Sequence, residues 1–170
     1  MEIDTKLYRS VMGLFATGVT VISYAVDGKP AGMTANAFMS VSMEPPLVLI
    51  SVRKQSRFND VVKVGVPYGV NFLAERQQAI SAHFGGRWDD TLKVPFVERD
   101  GTPLIEGSLA HIVARTTAVH EAGDHLLYIG EIEYLQLGEQ RKPLVFFSGK
   151  YKQVEAHAPA FGWTVNSDCW

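Results

Sequence analysis

Uncharged hydrogen-bonding side chains and small residues stand shortly before a group of basic residues in the first third of the chain. The first set occupies residues 34–37 and 40–42, and the basic side chains that follow are Arg53, Lys54, Arg57 and Lys63. Amide and hydroxyl groups can edge a flat heterocycle, and its phosphate would bind at Arg53, Lys54, Ser56 and Arg57. A helix that begins near Ser56 would add its free N–H groups and its dipole.

A plainer interpretation of the same residues is a polar strand, a solvated turn and an ordinary amphipathic helix, and pattern alone favours it. Asn36 fits that interpretation poorly, since Asn is depleted in strands and a buried amide needs hydrogen-bond partners. A bound ligand is one such partner. Trp88, which follows Arg87 in a glycine-rich segment, either caps a ligand cleft or anchors an exposed loop.

Motifs that would indicate other chemistry are absent or incomplete in this sequence. No Gly-x-Gly-x-x-Gly follows a predicted strand and no Gly-x-Ser-x-Gly is present, which argues against a Rossmann site and a nucleophile elbow. Residues 13–18 have the glycine spacing of a P-loop, but Val19 and Thr20 stand where Lys and Ser or Thr are needed. His120 and His125 are separated by a Gly-Asp pair that breaks a zinc-protease helix, so we expect no metal site.

Composition narrows the classes of partner. The 170 residues are 46% hydrophobic and 20% charged, and their formal net charge of −2 offers no broad basic field, so we expect no nucleic-acid partner. The only cysteine, Cys169, excludes an intrachain disulfide. No apolar stretch approaches the roughly 20 residues of a spanning helix, and the N-terminus resembles neither a signal nor a transit peptide. We therefore expect a cytoplasmic protein with no membrane partner.

Periodicity predicts the elements that would position these residues. Leu7, Val11, Met12 and Phe15 lie at helical spacing and predict an amphipathic helix that ends before Gly18. Strands are predicted at residues 19–24, 30–38, 46–52 and 68–73, and helices at 57–64 and 75–84. Asp27 and Gly28 predict a hairpin turn between the first two strands. Gly32 and Ala35 would leave room for another group to approach the second strand.

The second half of the chain is rich in β-formers. Residues 85–107 predict a loop with one short strand at 95–98, and residues 109–120, 125–137 and 144–152 predict three further strands. Six or seven strands with few helices, and without regular strand–helix alternation, favour a closed or partly closed antiparallel barrel. We expect residues 1–154 to form one domain and residues 155–170 to form a tail, whose aromatic residues favour docking.

Several short motifs occur in a fixed order from Tyr8 to Tyr151. They are FATGVTV (15–21), GMTANAF (32–38), SVS (40–42), PPLVL (45–49), GDH (123–125) with GE (130–131), and FSGKY (147–151). Together these motifs resemble the flavin reductases with a flavin-binding split barrel, the small reductase components of two-component flavin-dependent monooxygenases. The resemblance covers most of the chain, although residues 83–86 carry Gly where the family often has Ala.

The resemblance implies a mainly β fold, an antiparallel Greek-key split β-barrel with a few short flanking helices, which dimerises with a second copy. It implies FMN or FAD as the flavin, NADH or NADPH as the hydride donor, and a separate oxygenase component that receives reduced flavin. By position, the residues implied to edge or follow the isoalloxazine are Met33, Thr34, Ala35, Asn36, Ser51 and Val52. Those implied to face the phosphate are Lys54, Ser56 and Arg57.

Further site residues are implied only by their position relative to the same family motifs. His83 and Phe84 would lie on the flavin side. His125, the candidate catalytic residue, and Tyr151 would lie near the nicotinamide, with Arg9 and Met12 of the first helix as additional candidates. Without the resemblance, His125 would be interpreted as an exposed turn residue and Tyr151 as a packing aromatic.

These observations bear on three functions. Hydride transfer between nicotinamide and flavin needs stacking, orientation and charge placement rather than an acid–base pair, which agrees with the lack of a recognisable triad in the sequence. The leading hypothesis is an NAD(P)H:flavin oxidoreductase, and the alternative is a non-catalytic flavin- or haem-binding split-barrel protein. An oxidase of the pyridoxine-phosphate type would need a second phosphate site, and the sequence shows no second cluster of Arg and Lys.

Overall fold

The computed structural model describes residues 3–140 and 142–155, so nearly all of the predicted tail at 155–170 lies outside the described residues. Helix α1 (Thr5–Met12) begins after Asp4, whose carboxylate accepts a 2.9 Å hydrogen bond from the backbone N–H of Lys6. None of the side chains of α1 is buried. Within the described ranges, no helix has the length and apolar character needed to cross a membrane.

Most of the remaining elements are strands. They are β1 (Thr17–Gly18), β2 (Thr20–Val26), β3 (Lys29–Ala35), β4 (Phe38–Met43), β5 (Pro46–Arg53), β6 (Pro67–Phe72), β7 (Phe96–Arg99), β8 (Thr102–Ile105), β9 (Ala110–Ala122), β10 (His125–Leu137), β11 (Val145–Phe147) and β12 (Lys150–Lys152). Helix α2 (Phe58–Val61) follows β5, and a 3₁₀ turn (Glu75–Gln77) leads into α3 (Gln78–Phe84).

The strands form one large sheet and two small ones, and every pairing is antiparallel. The large sheet has the order β3-β2-β6-β9-β10-β5-β4, and the small sheets are β1-β11-β12 and β7-β8. Pairs such as β2 with β6 and β5 with β10 are distant in sequence, as Greek-key connections require. The sheet curls until β3 approaches β5. The predicted mainly β, antiparallel barrel is therefore confirmed.

The core inside the large sheet is centred on Phe58. Its ring makes edge-on contacts with Tyr24, Tyr68 and Tyr128 at centroid distances of 5.2, 5.9 and 5.0 Å. Each such pair adds about 0.5–1.5 kcal/mol beyond the burial of its surface. Because Phe58 opens α2, this core fixes where the loop after β5 meets the barrel.

A second core joins α3 and the β7–β8 hairpin to the barrel. Its buried members are Val19, Val21, Leu73, Ile80, Ile105 and Leu144. Beside it, the buried amide of Asn71 donates to the carbonyl of Val21 at 2.9 Å and accepts from the N–H of Ile105 at 2.7 Å. Both ends of that side chain are thereby satisfied, and β8 is held against the sheet.

The structure corrects the predicted boundaries in four places. The strand expected at 30–38 breaks in a bend at Asn36, so Asn36 does not lie in a strand. The helix expected at 57–64 is only four residues long, since β-branched valines and Gly65 follow it. Residues 85–107 contain a hairpin, and residues 144–152 form two strands. Both hairpins turn through residue pairs with positive φ, Asp100–Gly101 and Ser148–Gly149.

Candidate functional site

A cleft of about 800 Å³ opens between the end of β3, helix α3 and the β11–β12 hairpin. Its walls include the polar side chains of Thr34, Asn36 and Ser81 and the aromatic rings of Phe146 and Tyr151. This size and this mixture of aromatic and polar groups are typical of sites for small molecules and cofactors. The predicted site residues that line it are Thr34, Asn36, Arg53 and Tyr151.

Ser81 of α3 connects the two walls of the cleft. Its carbonyl accepts a 2.7 Å hydrogen bond from the hydroxyl of Thr34, and its own hydroxyl lies 2.8 Å from the hydroxyl of Tyr151. Ser81 is fully buried. The hydroxyls of Thr34 and Tyr151, which are 117 positions apart in the chain, are thus held in place by one residue of the helix between them.

Three cationic side chains also line the cleft, and no acidic residue of the described chain does. They are Arg53 at the end of β5, Arg87 in the loop after α3, and Lys150 at the start of β12. Arg53 belongs to the basic cluster seen in the sequence, whereas Arg87 and Lys150 come from two other segments. The fold brings all three cations to one cleft.

A smaller apolar groove of about 410 Å³ adjoins the cleft and shares Val19 and Asn36 with it. The hydroxyl oxygen of Thr17 is buried in this region and has no hydrogen-bond partner among the described residues. An orphaned buried hydroxyl, two aromatic rings and three cations fit a planar ligand that has a polar edge and phosphate groups. The residues present therefore suit a flavin nucleotide.

The predicted flavin-edging residues of β3 alternate between two sides. Met33 and Ala35 pack against the barrel core, whereas Thr34 faces α3. The space expected beside Gly32 is already filled, because a Cβ there would lie 3.2 Å from the ring of Phe84. Phe84 therefore packs on the strand, and the small residue admits a helix of the same chain rather than a ligand.

The predicted phosphate-facing residues lie on the loop that joins β5 to α2. Lys54 forms a 3.1 Å ion pair with Glu121, and the hydroxyl of Ser56 lies 3.5 Å from the sulfur of Met33. Arg57 is exposed and directly precedes α2. Since α2 is a single turn, the helix dipole expected near Ser56 is weak. None of these three residues lines the cleft.

Asn59 holds this loop in shape. Its buried amide donates to the carbonyls of Arg53 and Lys54 at 2.8 and 3.0 Å. Ser51 and Val52 come earlier on β5, where Val52 is buried in the core and Ser51 pairs with Leu127 of β10. The backbone that carries the basic residues is therefore fixed from inside the barrel.

His125, the candidate catalytic residue, begins β10 beside the same loop. Its Nδ1 lies 2.7 Å from a carboxylate oxygen of Asp124, and it pairs with Arg53 across the two strands. The hydrogen bond and charge of His125 hold the pKa of Asp124 below its usual range, with a smaller contribution from Arg53. His125 is close to Arg53 but does not itself line the cleft.

His83 supports the loop that carries Arg87. It is 6% exposed, its Nδ1 accepts a 3.1 Å hydrogen bond from the N–H of Asp89, and the ring of Trp88 lies over it at 4.1 Å. Trp88 is itself 73% exposed. The imidazole is therefore committed to the protein, and the loop rather than His83 meets the cleft.

Arg9 and Met12 lie on the exposed surface of α1. The end of that helix is attached to the β11–β12 turn, because the N–H of Ser148 donates a 2.7 Å hydrogen bond to the carbonyl of Gly13. Arg9 and Met12 are thus near the hairpin that carries Tyr151, although neither lines the cleft.

Sequence reasoning missed several residues that build the cleft. Gln78 and Ser81 lie in a segment for which the sequence predicts only a helix. Phe146 directly precedes the motif at 147–151 that contains Tyr151. A weak signal existed for Ser81, since it falls on the helix face of Ile80 and Phe84, where a polar residue needs a partner.

Comparison with known proteins supports a flavin site in this chain. The flavin reductase like domain matches residues 12–155. An NADH-dependent flavin reductase from Rhodococcus sp is 40% identical over 91% of this chain and 89% of its own. The reductase subunit HsaB of a flavin-dependent monooxygenase from Rhodococcus jostii (strain RHA1) is 37% identical over 99% of this chain and 92% of its own.

A solved structure of a flavin reductase has the same fold as this chain. The flavin reductase PheA2 in its native state superposes with a TM-score of 0.86 at 43% sequence identity, covering 91% of this chain and 100% of that one. The family model, which matches residues 12–155, spans β3, α3 and the β11–β12 hairpin. The resemblance seen in the sequence is confirmed, and the chain belongs to the flavin reductase family.

Proposed function

We propose that this protein is an NAD(P)H:flavin oxidoreductase that reduces FMN or FAD and supplies the reduced flavin to a separate monooxygenase component. Membership of the family supports the reaction, and the likeness to a monooxygenase reductase subunit supports the destination of the product. The observation that carries the proposal is the cleft built by Thr34, Ser81 and Tyr151, which combines polar, aromatic and cationic walls.

The flavin, when bound, supplies the acceptor for a hydride from the reduced nicotinamide. In this proposal Thr34 and Asn36 contact the polar edge of its ring, with Met33 and Ala35 contributing backbone. Lys54, Ser56 and Arg57 hold the terminal phosphate, and Ser51 and Val52 continue the wall along β5. The cationic side chains also favour the added negative charge of reduced flavin.

His125 orients the nicotinamide in this proposal. Asp124 fixes the imidazole through the 2.7 Å contact, which leaves the other ring nitrogen free to hydrogen-bond a carboxamide or a phosphate. Orientation of two reacting groups can change a rate by orders of magnitude, so no acid–base residue is required. Tyr151, anchored to Ser81, provides an immobile aromatic wall for the same ligand.

Consumption of reduced nicotinamide tests the proposal. We expect NADH or NADPH absorbance to fall only when FMN or FAD is added, and the four combinations identify the preferred pair. We also expect flavin to leave the protein on gel filtration, since the cleft is open rather than enclosed. A protein that keeps a stoichiometric flavin or haem and consumes no reduced nicotinamide would establish the non-catalytic alternative.

We propose in addition that the chain forms a homodimer through α1 and the edge strand β4. Leu7 and Val11 on α1 are 60% and 56% exposed, Phe15 just after the helix is 74% exposed, and Met39 and Met43 on β4 are 55% and 80% exposed. Apolar surface of this extent favours burial against another protein surface. Light scattering should give twice the chain mass, and Val11→Asp should lower it, whereas the exposed control Val97→Asp should not.

Residues 1–154 form one flavin reductase domain in this proposal, in keeping with the family match at 12–155. We place the protein in the cytoplasm, because its reaction consumes reduced nicotinamide dinucleotide. Fractionation of cells that express the full chain tests the location, and recovery outside the cytoplasmic fraction would contradict it.

A further inference from the structure

The three cations of the cleft, Arg53, Arg87 and Lys150, are here called the cationic rim. Arg87 and Lys150 have no assigned part in holding the flavin, and Arg53 directly precedes Lys54 of the group proposed to hold its terminal phosphate. In the part of the chain that the structure describes, none of the rim side chains forms an ion pair, in contrast to Lys54 and Arg115. Unpaired cations around a concave surface attract anions.

The charge of the rim is only partly offset. Asp124 is near enough to Arg53 for that guanidinium to help lower the pKa of the carboxyl, but the two groups do not form an ion pair. Arg87 and Lys150 form no ion pair with a described residue, although Asp89 and Asp90 follow Arg87 on the same loop. The net charge of the whole chain is −2, so a cleft with three cations and no acidic lining residue is a local feature.

The loop that carries Arg87 is held from both sides. The N–H of Arg87 donates a 2.9 Å hydrogen bond to the carbonyl of Ala82, and His83 accepts from the N–H of Asp89. Lys150 follows the turn that is attached to Gly13 of α1. Two of the three rim cations therefore project from restrained backbone, which lowers the entropic cost of arranging them around an anion.

The cleft is large enough for more than one flat ring, and the rim charges lie beside the aromatic side chains of Phe146 and Tyr151. A ligand that complements both features has planar bases and at least two phosphate charges between them. We propose that the cationic rim binds the diphosphate bridge of a dinucleotide, which distinguishes dinucleotides from the corresponding mononucleotides. This inference rests on the proposed function.

Two ligands share that chemistry, the nicotinamide dinucleotide and FAD. Arg53 pairs with His125 across the sheet, so the rim also lies beside the residue proposed to orient the nicotinamide. Binding measurements with paired ligands separate the two sources. FAD is compared with FMN, and NAD+ with nicotinamide mononucleotide, because within each pair only the dinucleotide has the diphosphate bridge.

The test uses the full chain and isothermal titration calorimetry, which requires no turnover. Arg87→Gln and Lys150→Gln each remove one charge while keeping a polar side chain, and the double variant removes both. Loss of a charge-assisted hydrogen bond corresponds to about tenfold or more in the dissociation constant. We expect about tenfold weaker binding of a dinucleotide in each single variant, and little change for its mononucleotide.

Lys152→Gln is the matched control, because it removes an exposed cation two positions along β12 that does not line the cleft. A loss confined to NAD+ or to FAD supports the inference and identifies the ligand. Equal weakening of mononucleotide and dinucleotide, or no weakening of either dinucleotide, overturns it while the proposed function stands. A parent protein that binds none of the four ligands overturns the proposed function and this inference with it.

Discussion

The hydroxyl of Tyr128 donates a 2.9 Å hydrogen bond to the side-chain oxygen of Asn59 inside the barrel. The amide of the same Asn59 donates to the carbonyls of Arg53 and Lys54. Burial raises the pKa of Tyr128, so its hydroxyl stays protonated and remains a donor at neutral pH. A residue of β10 thus acts through Asn59 on the loop proposed to hold the flavin phosphate.

Tyr128→Phe should therefore affect both stability and ligand selectivity. Without the donor, the buried oxygen of Asn59 is unsatisfied, which costs about 1–3 kcal/mol in the free energy of unfolding measured with urea. We also expect FMN to lose more affinity than riboflavin, which lacks the phosphate. Tyr24→Phe is the control, because Tyr24 also packs on Phe58. Equal losses for the two flavins would limit Tyr128 to a structural role.

Replacement of both Lys54 and Arg57 by Ala should weaken FMN binding through the loss of charge-assisted contacts. The Lys54 side chain is 41% exposed, and solvent screens its charge in part. We therefore expect the affinity for FMN to fall by about tenfold to a hundredfold. Riboflavin affinity should change little. Glu121→Gln, which frees Lys54 from its ion pair, should leave FMN binding unchanged or stronger. A double variant that loses as much affinity for riboflavin as for FMN would show that the phosphate binds elsewhere.

His125→Ala should leave the binding of oxidised flavin nearly unchanged and slow its reduction in single turnover. Loss of an orienting contact misplaces the reacting atoms, and a displacement of about 1 Å can cost on the order of 100-fold in rate. Higher NADH concentrations should recover part of the rate. Reduction kinetics equal to those of the parent at every NADH concentration would make His125 an exposed turn residue, and a collapse of flavin affinity would move it to the flavin side.

The contact between His125 and Asp124 has a measurable signature in pH titrations. Because the pKa of Asp124 is lowered, its contribution to stability is present above the usual pKa of an aspartate and is lost as the pH falls through the lowered value. An NMR titration of the carboxyl should give a pKa below about 3.9. His125→Ala should return it towards that value, and an unchanged titration would mean that the imidazole does not hold the carboxylate in solution.

Gly130→Ala should destabilise the barrel by about 1–3 kcal/mol, because the new methyl group would lie too close to the hydroxyl of Tyr68 and 3.0 Å from the Cβ of Ala114. The buried hydroxyl of Tyr68 has no partner among the described residues. Tyr68→Phe should therefore be tolerated alone and should recover part of the loss in the double variant. Additive losses in a urea double-mutant cycle would rule out this contact as the cause.

Much of the fold could be predicted because local signals agreed with it. The turn at Asp27–Gly28 and the long hairpin of β9 and β10 follow from turn residues and runs of β-branched side chains, and both are present. Boundaries that depend on tertiary contacts were harder. Only the low strand propensity of Asn36 itself indicated the bend there. The hairpin of β7 and β8 depends on a contact with the buried amide of Asn71.

The candidate site was less predictable from residue types. Thr34 and Asn36 were singled out by chemistry, and Tyr151 by its motif, and all three line the cleft. Arg87 and Lys150 could not be grouped from the sequence, because they are 63 positions apart and only the fold brings them together. Alternation along β3 likewise shows that neighbours in a motif, such as Met33 and Thr34, can face different sides.

The β11–β12 hairpin is attached to α1 through Ser148 and to α3 through Tyr151. Among the described residues it is also the last β structure in chain order, so the cleft has no third wall until residues 145–152 have been synthesised. A nascent chain that already contains the whole large sheet would still be unable to enclose a ligand. With flavin bound in the cleft as proposed, ligand capture requires the completed barrel and its closing hairpin, and shortened translation products that end before β11 would not sequester flavin.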